Sequence, residues 1–140
     1  LKMTENHIET GSCLCGNIKY KFNREDVISA GHCHCKDCQK ITGSGKATIV
    51  FIPTKSLKIN NDYKVYSVIG HDGTNVHRGF CPNCGSPVIS YVTEQPDLRF
   101  IKAGSLDDSS WINIESSFWS ISANKWDPVN ENIPCFEQNP

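Results

Sequence analysis

The chain has 140 residues, 38 % of them hydrophobic and 21 % charged, a composition that favours one globular domain over a disordered or fibrous chain. Its formal net charge of -1 lacks the basic excess of nucleic-acid-binding proteins, so no nucleic-acid partner is expected. No apolar run approaches the roughly 20 residues that span a bilayer, and no signal-peptide core is visible. We therefore expect a cytoplasmic protein that is not bound to a membrane.

The predicted secondary structure is mainly β. Short β-branched runs between turn residues predict strands over Ile18–Phe22, Ala47–Ile52, Ser56–Ile59, Lys64–Ile69, Asn75–Phe80, Pro87–Val92, Arg99–Ala103 and Asn113–Ser120. Turns are predicted at Asn60–Asp62, His71–Gly73 and Glu94–Asp97. Helix is limited to a turn or two at Lys36–Ile41 and after Ser105. The expected fold class is mainly β, with small antiparallel sheets, few short helices and no internal domain boundary.

The cysteine content points to metal binding. Eight cysteines in 140 residues require either disulfides in an oxidising compartment or metal ligation in a reducing one. Cys13 and Cys15, and likewise Cys33 and Cys35, are separated by one residue. A disulfide within such a triplet would be strained, whereas residues i and i+2 of a strand project from one face, so both thiolates can bind one ion.

Seven of the cysteines form three clusters whose sizes predict two zinc sites. Zinc takes four ligands in a tetrahedral array, and C-x-x-C turns are common zinc-binding elements. The outer clusters supply four thiols, which predict a closed structural site formed by Cys13, Cys15, Cys81 and Cys84. The middle cluster supplies Cys33, Cys35 and Cys38, which predict a site with one open position, as in catalytic zinc sites. One zinc ion alone, or an iron–sulfur cluster, are the alternatives.

The ligand type indicates a class of reaction. Three thiolates make zinc a weak Lewis acid, but such an ion can hold a further thiolate and keep it reactive at neutral pH. This property suits the addition of a thiol to a small carbonyl compound, or the reverse reaction. His34 flanks the middle cluster on the opposite face of the chain, where packing, a hydrogen bond behind the ligands or a proton relay are its alternatives. Cys135 is expected to be buried, and Trp111, Trp119 and Trp126 to be core or pocket-wall residues.

The cysteine motifs also resemble those of a known family. Gly11-Ser12-Cys13-Leu14-Cys15-Gly16, the run from Cys33 to Gly43, and Phe80-Cys81-Pro82-Asn83-Cys84-Gly85-Ser86 are similar to the signature of the glutathione-dependent formaldehyde-activating enzyme (GFA) family, also called the centromere protein V (CENP-V) family. Three later segments match in the same order: Ala103–Asp108, Lys125-Trp126 and Ile133–Phe136. The resemblance covers about residues 11–136.

The resemblance implies a fold, ligands and an activity. The fold would be Mss4-like, a single zinc domain over residues 11–136 with a polar N-terminal tail at 1–10 and a C-terminal tail at 137–140. Cys13, Cys15, Cys81 and Cys84 would hold a structural zinc, and Cys33, Cys35 and Cys38 the active-site zinc, two ions per chain. The implied reaction joins glutathione to formaldehyde and is classed as a carbon–sulfur lyase reaction.

Two other functions fit the same residues. The first is a non-catalytic zinc module that binds a protein partner, with His32 or His34 closing the second site as its fourth ligand. The second is one structural zinc beside a redox-sensitive trio of thiols. The lyase hypothesis requires an open second site that responds to thiols, and the redox hypothesis requires one zinc per chain.

Overall fold

The computed structural model describes residues 7–60 and 62–140. Residues 1–6 of the predicted N-terminal tail, and Asn61 in the predicted turn at Asn60–Asp62, lie outside the described residues. In chain order the strands are β1 (Ile8–Ser12), β2 (Lys19–Asn23), β3 (Ser29–Cys33), β4 (Ala47–Pro53), β5 (Lys58–Ile59), β6 (Lys64–Ile69), β7 (Asn75–Phe80), β8 (Pro87–Val92), β9 (Leu98–Lys102) and β10 (Ser116–Phe118).

Helical structure is short. The α-helix α1 (Lys36–Thr42) follows β3, and single 3-10 turns occur at Arg24–Asp26, Thr54–Ser56, Ala103–Ser105 and Ser120–Ser122. Cys35 is the N-cap of α1, and its sulfur accepts a hydrogen bond from the Cys38 N–H. Gly43 is the C-cap and adopts the left-handed conformation. Within the part of the chain that the structure describes, no helix is long and apolar enough to cross a bilayer.

The strands form two sheets. β1, β2 and β5 make a three-stranded antiparallel sheet in the order β1-β2-β5. The remaining strands make a seven-stranded sheet in the order β10-β3-β4-β9-β8-β7-β6, antiparallel except that β10 runs parallel to β3. The mainly antiparallel β fold that the sequence predicts is confirmed.

One face of the large sheet packs in the main hydrophobic core, and the other face lines the candidate site. Successive side chains of a strand point to opposite faces, so Val50 of β4 and its partner Ile101 of β9 share one face. Both are completely buried and pack with Ile18 and Phe22 of the small-sheet side in the main hydrophobic core. The opposite face of the same strands carries the functional site described below.

Most strand predictions agree with the structure, and the exceptions have physical causes. β1 and β3 were not predicted. SAGHC contains no β-branched residue, and in IETGS the two β-branched residues, Ile8 and Thr10, stand beside Glu9 and Gly11, which do not favour strands. Backbone pairing with β2, and with β4 and β10, orders them instead. β1 includes residues 8–10 of the predicted N-terminal tail. The helix predicted after Ser105 is wrong, because Leu106 leaves the 3-10 turn to form a bridge with Gly11.

Candidate metal centres and the adjoining pocket

Four cysteines from two distant loops converge into one cluster, hereafter the four-thiol centre. Cys13 and Cys15 lie between β1 and β2, and Cys81 and Cys84 lie between β7 and β8. Their sulfurs all lie within 4.8 Å of one another, and the distances from Cys15 Sγ to the sulfurs of Cys13 and Cys81 are both 3.7 Å. A tetrahedral ion with zinc–sulfur bonds of about 2.3 Å separates its sulfurs by about 3.8 Å, so the cluster fits one such ion.

The backbone around the four-thiol centre favours thiolates. The Ile18 N–H donates to Cys13 Sγ at 3.2 Å, and the Asn83 N–H donates to Cys81 Sγ at 3.4 Å. Burial raises the pKa of Cys13, but hydrogen bonds from Ile18 and from the neighbouring thiols outweigh burial and leave this pKa lowered. Hydrogen bonds from the side chain and backbone of Ser86 lower the pKa of Cys84 to about 5. The Cys84 N–H acts to lower the pKa of Cys81, but burial and the neighbouring thiols raise it to about 11. A cation bound among the four sulfurs would favour the thiolate form of this residue too.

The three remaining clustered cysteines form the three-thiol centre. Cys33 ends β3, Cys35 caps α1, and Cys38 lies in the first turn of that helix. Their sulfurs lie within 4.8 Å of one another, and all three residues are buried. The structure therefore joins the residues of the C-x-C and C-x-x-C pairs in one local cluster. Three ligands leave one position of a tetrahedral ion free.

Two cationic residues stand beside the three-thiol centre. Arg78 Nη1 lies 4.0 Å from Cys38 Sγ, and Lys102 Nζ donates to Ser90 Oγ at 2.9 Å in a buried environment. Hydrogen bonds from the thiols of Cys33 and Cys35 lower the pKa of Cys38 to about 2, and the positive charges of Lys102 and Arg78 act in the same direction. Burial lowers the pKa of Lys102, while the charge of Cys38 opposes this effect. Negative charge at the centre is thereby balanced by the protein.

A cavity of about 470 Å³ opens onto the three-thiol centre. Its walls come from the second face of the large sheet, since alternate residues of β4, β9, β8 and β7 line it. The strand register aligns Phe51 with Phe100, Phe100 with Ser90, and Ser90 with Arg78 across this face. None of the four-thiol residues lines this cavity, so of the two centres it is the three-thiol centre that adjoins it.

Trp119 closes one side of this cavity in an unusual backbone conformation. Its φ of 58° is the one positive value at a non-glycine position among the described residues. The Trp119 N–H donates to the Gln138 carbonyl at 3.1 Å, and its indole N–H donates to Asn139 Oδ1 at 3.0 Å. Its ring also lies 5.4 Å from that of His71 at the tip of the β6–β7 hairpin. Strained backbone of this kind concentrates at functional sites.

His34 lies behind the three-thiol centre and does not line the cavity. Its ring is completely buried, and neither ring nitrogen has a hydrogen-bond partner among the described residues. Burial lowers the pKa of His34, and the negative charge of Asp127 opposes this effect. His32 and His34 are also absent from the described metal-ligand clusters, so neither closes the three-thiol centre.

Comparison with known proteins identifies the family. A sequence model of the glutathione-dependent formaldehyde-activating enzyme matches residues 8–122. The chain belongs to the GFA family. Among curated proteins no match was found. The crystal structure of a protein from Rhodobacter sphaeroides has a similar fold, with a TM-score of 0.55 and 17 % sequence identity over 74 % of this chain and 90 % of that chain.

The architecture of this GFA-family chain adds site residues that the sequence analysis missed. These residues are Arg78, Ser90 and Lys102. Ser90 stands in a mostly apolar strand, which was a weak signal, whereas Arg78 and Lys102 share their strands with other polar residues and carried no local signal. Two expectations were wrong. Cys135 is exposed, because the C-terminal segment runs along the surface beside Ser117, and Trp126 is 70 % exposed. Trp111 packs against Phe22 of the core as expected.

Proposed function

We propose that the protein is a zinc-dependent carbon–sulfur lyase of the glutathione-dependent formaldehyde-activating type. Its substrate would be a thiol adduct of a small aldehyde, and S-hydroxymethylglutathione is one such adduct. The observation that carries the proposal is the position of Cys33, Cys35 and Cys38 beside a cavity, whereas the four-thiol centre already has a full ligand set. All-sulfur donor sets favour zinc among the abundant intracellular divalent ions, which supports two zinc ions per chain.

The seven clustered cysteines would have two different roles. Cys33, Cys35 and Cys38 would hold the catalytic zinc, and Cys13, Cys15, Cys81 and Cys84 the structural zinc. Cys33, Cys35 and Cys38 would leave one position of such an ion free, and zinc bound there would supply a site at which a thiol is deprotonated at neutral pH. The buried ring of His34 would support the ligands from behind by packing, and its backbone N–H joins β3 to β10 by donating to the Phe118 carbonyl at 3.0 Å.

Charge balance supports a thiol substrate. Three thiolates and one divalent ion would carry a single negative charge, which the guanidinium of Arg78 would balance. Lys102 supplies a further N–H donor beside the centre, so a substrate thiolate would meet two basic side chains there. The presence of both cations on the cavity wall therefore matches the ligand that the proposed reaction requires.

The proposed reaction needs no oxidant or reductant. In the synthetic direction the thiol sulfur bonds to the carbonyl carbon, the carbonyl π-electron pair moves to oxygen, and that oxygen takes up the proton that the thiol has lost. The lyase direction reverses these steps. Lys102 and Arg78 offer N–H donors on the cavity wall, where they would stabilise the negative charge that develops on oxygen.

Two alternatives remain distinguishable from the proposal. The protein-binding zinc module required a fourth ligand from His32 or His34, and the described ligand clusters contain neither. The redox trio requires that Cys33, Cys35 and Cys38 bind no metal in the reduced protein. We place the protein in the cytoplasm, because its clustered thiols need a reducing compartment to remain unoxidised.

Zinc content and thiol binding test the proposal together. Freshly reduced protein should contain two zinc ions per chain, and Cys35→Ser should contain about one. Cobalt in the three-thiol centre should change its absorption spectrum when a thiol is added, and the protein should accelerate exchange between the thiol, the aldehyde and their adduct. One zinc ion in both proteins would favour the redox trio, and a cobalt spectrum unchanged by saturating thiols would reject the lyase.

A further inference from the structure

The cavity beside the three-thiol centre has mainly apolar walls. Phe51, Phe100 and Phe118 form an aromatic group in which the Phe51 ring lies 5.1 Å from Phe100 and 6.0 Å from Phe118. All three rings are only half-buried and so keep a surface that a ligand can cover. Aliphatic residues complete this part of the wall: Ile28, Ile49, Val76, Val92 and Leu98.

The cavity wall carries few charged residues. Arg78 and Lys102 lie beside the three-thiol centre, where their charges act on Cys38. The wall also carries two acidic residues, Asp37 and Asp72, and His71, whose Nε2 atom lies 3.8 Å from Asp37 Oδ1. Neutral polar residues also line it: Ser29, Thr74, Gln95 and Asn139. A ligand that carries carboxylates besides its sulfur would therefore meet apolar side chains and these acidic residues.

We propose that this cavity selects a thiol adduct whose body next to the sulfur is aromatic or branched aliphatic and carries no charge. The inference rests on the proposed function and narrows its substrate class. The sulfur and oxygen of the adduct would meet the metal, Arg78 and Lys102, and the uncharged body would cover the rings of Phe51, Phe100 and Phe118. Glutathione, with two carboxylates remote from its sulfur, is then a poorer ligand than an apolar thiol of similar reactivity.

The volume of the cavity agrees with this assignment. A space of about 470 Å³ lies within the usual range for small-molecule sites and greatly exceeds the volume of a one-carbon aldehyde. Apolar walls stabilise a ligand in proportion to the apolar area removed from water, so a benzyl group should raise affinity by about tenfold or more over a hydroxyethyl group. The direction of this preference does not depend on which aldehyde is the natural substrate.

Binding of three thiols to the cobalt-loaded protein tests the inference. We expect benzyl mercaptan to bind at least about tenfold more tightly than 2-mercaptoethanol, and glutathione to bind no more tightly than 2-mercaptoethanol. Phe100→Leu should weaken benzyl mercaptan severalfold and leave 2-mercaptoethanol unchanged. Phe22→Leu is the matched control, because Phe22 is a buried phenylalanine of the core and does not line the cavity.

The outcomes separate this inference from the proposed function. Two results would overturn the preference for an apolar substrate but leave the proposed thiol-binding site intact. Glutathione would bind as tightly as benzyl mercaptan, or Phe100→Leu would weaken the binding of all three thiols equally. If no thiol alters the cobalt spectrum, the proposed function fails. The cavity is then judged by fluorescence with benzyl alcohol, since Trp119 lines it. A change in tryptophan emission that Phe100→Leu abolishes supports the apolar class, and no change overturns it.

Discussion

We expect the four-thiol centre to be the main source of stability that joins distant parts of the fold, and Cys13→Ala tests this role. Cys13 is buried and belongs to a centre that ties the β1–β2 loop to the β7–β8 loop, and a structural zinc site contributes on the order of 10 kcal/mol. Loss of one thiolate should weaken metal binding at least a thousandfold, which corresponds to about 4 kcal/mol. The buried Ile18 N–H would also lose its acceptor sulfur, at a cost of about 1–3 kcal/mol.

The combined loss is comparable to the whole net stability of a domain, about 5–15 kcal/mol. Cys13→Ala should therefore be largely insoluble, or show a greatly lowered urea midpoint at equal slope. Cys135→Ala is the matched control, because Cys135 is exposed and belongs to neither cluster. Cys38→Ala should stay folded and lose one ion, and Cys84→Ala should resemble Cys13→Ala. Equal urea midpoints for Cys13→Ala and Cys135→Ala would show that the four-thiol centre does not stabilise the fold.

Three further substitutions test the packing that positions the site. Gly11→Ala should destabilise the fold by about 1–3 kcal/mol, because the added Cβ would lie 2.6 Å from the Ser105 carbonyl oxygen. Gly104→Ala is the control and should leave the thermal melt unchanged, because the space around Gly104 is open. Glu9→Gln should lower the free energy of unfolding by about 1–2 kcal/mol in urea titrations, because buried Glu9 forms an ion pair with Arg24 at 2.7 Å. His7→Ala, at the exposed His7–Glu25 pair, is the control and should leave this free energy unchanged. Ser90→Ala should cost about 1–3 kcal/mol by removing the acceptor of buried Lys102, and Ser90→Thr should retain more stability. A neutral Ser90→Ala would show that Lys102 has another partner.

Local sequence spacing predicts the two cysteine clusters. C-x-C and C-x-x-C pairs hold two thiols close enough for one ion whatever the rest of the chain does, so the division into four and three could be predicted and the structure assembles both clusters. Most strands were predictable for a similar reason, since short runs of β-branched and aromatic residues, as in Lys64–Ile69 and Pro87–Val92, are a local signal. Family membership likewise followed from contiguous motifs and is shown by the match over residues 8–122.

Tertiary structure alone decided what surrounds the three-thiol centre. The cavity is formed by strand register, which aligns Phe51, Phe100, Ser90 and Arg78 from four strands across one face. Register depends on long-range pairing, and a shift by one residue would turn these side chains into the core. The strands β1 and β3 are likewise ordered by their partners, because the local preference for strand is weak in β1, where Ile8 and Thr10 alternate with Glu9 and Gly11, and is missing in β3. The sequence thus predicts which cysteines cluster, and the fold determines which of the two clusters adjoins the cavity.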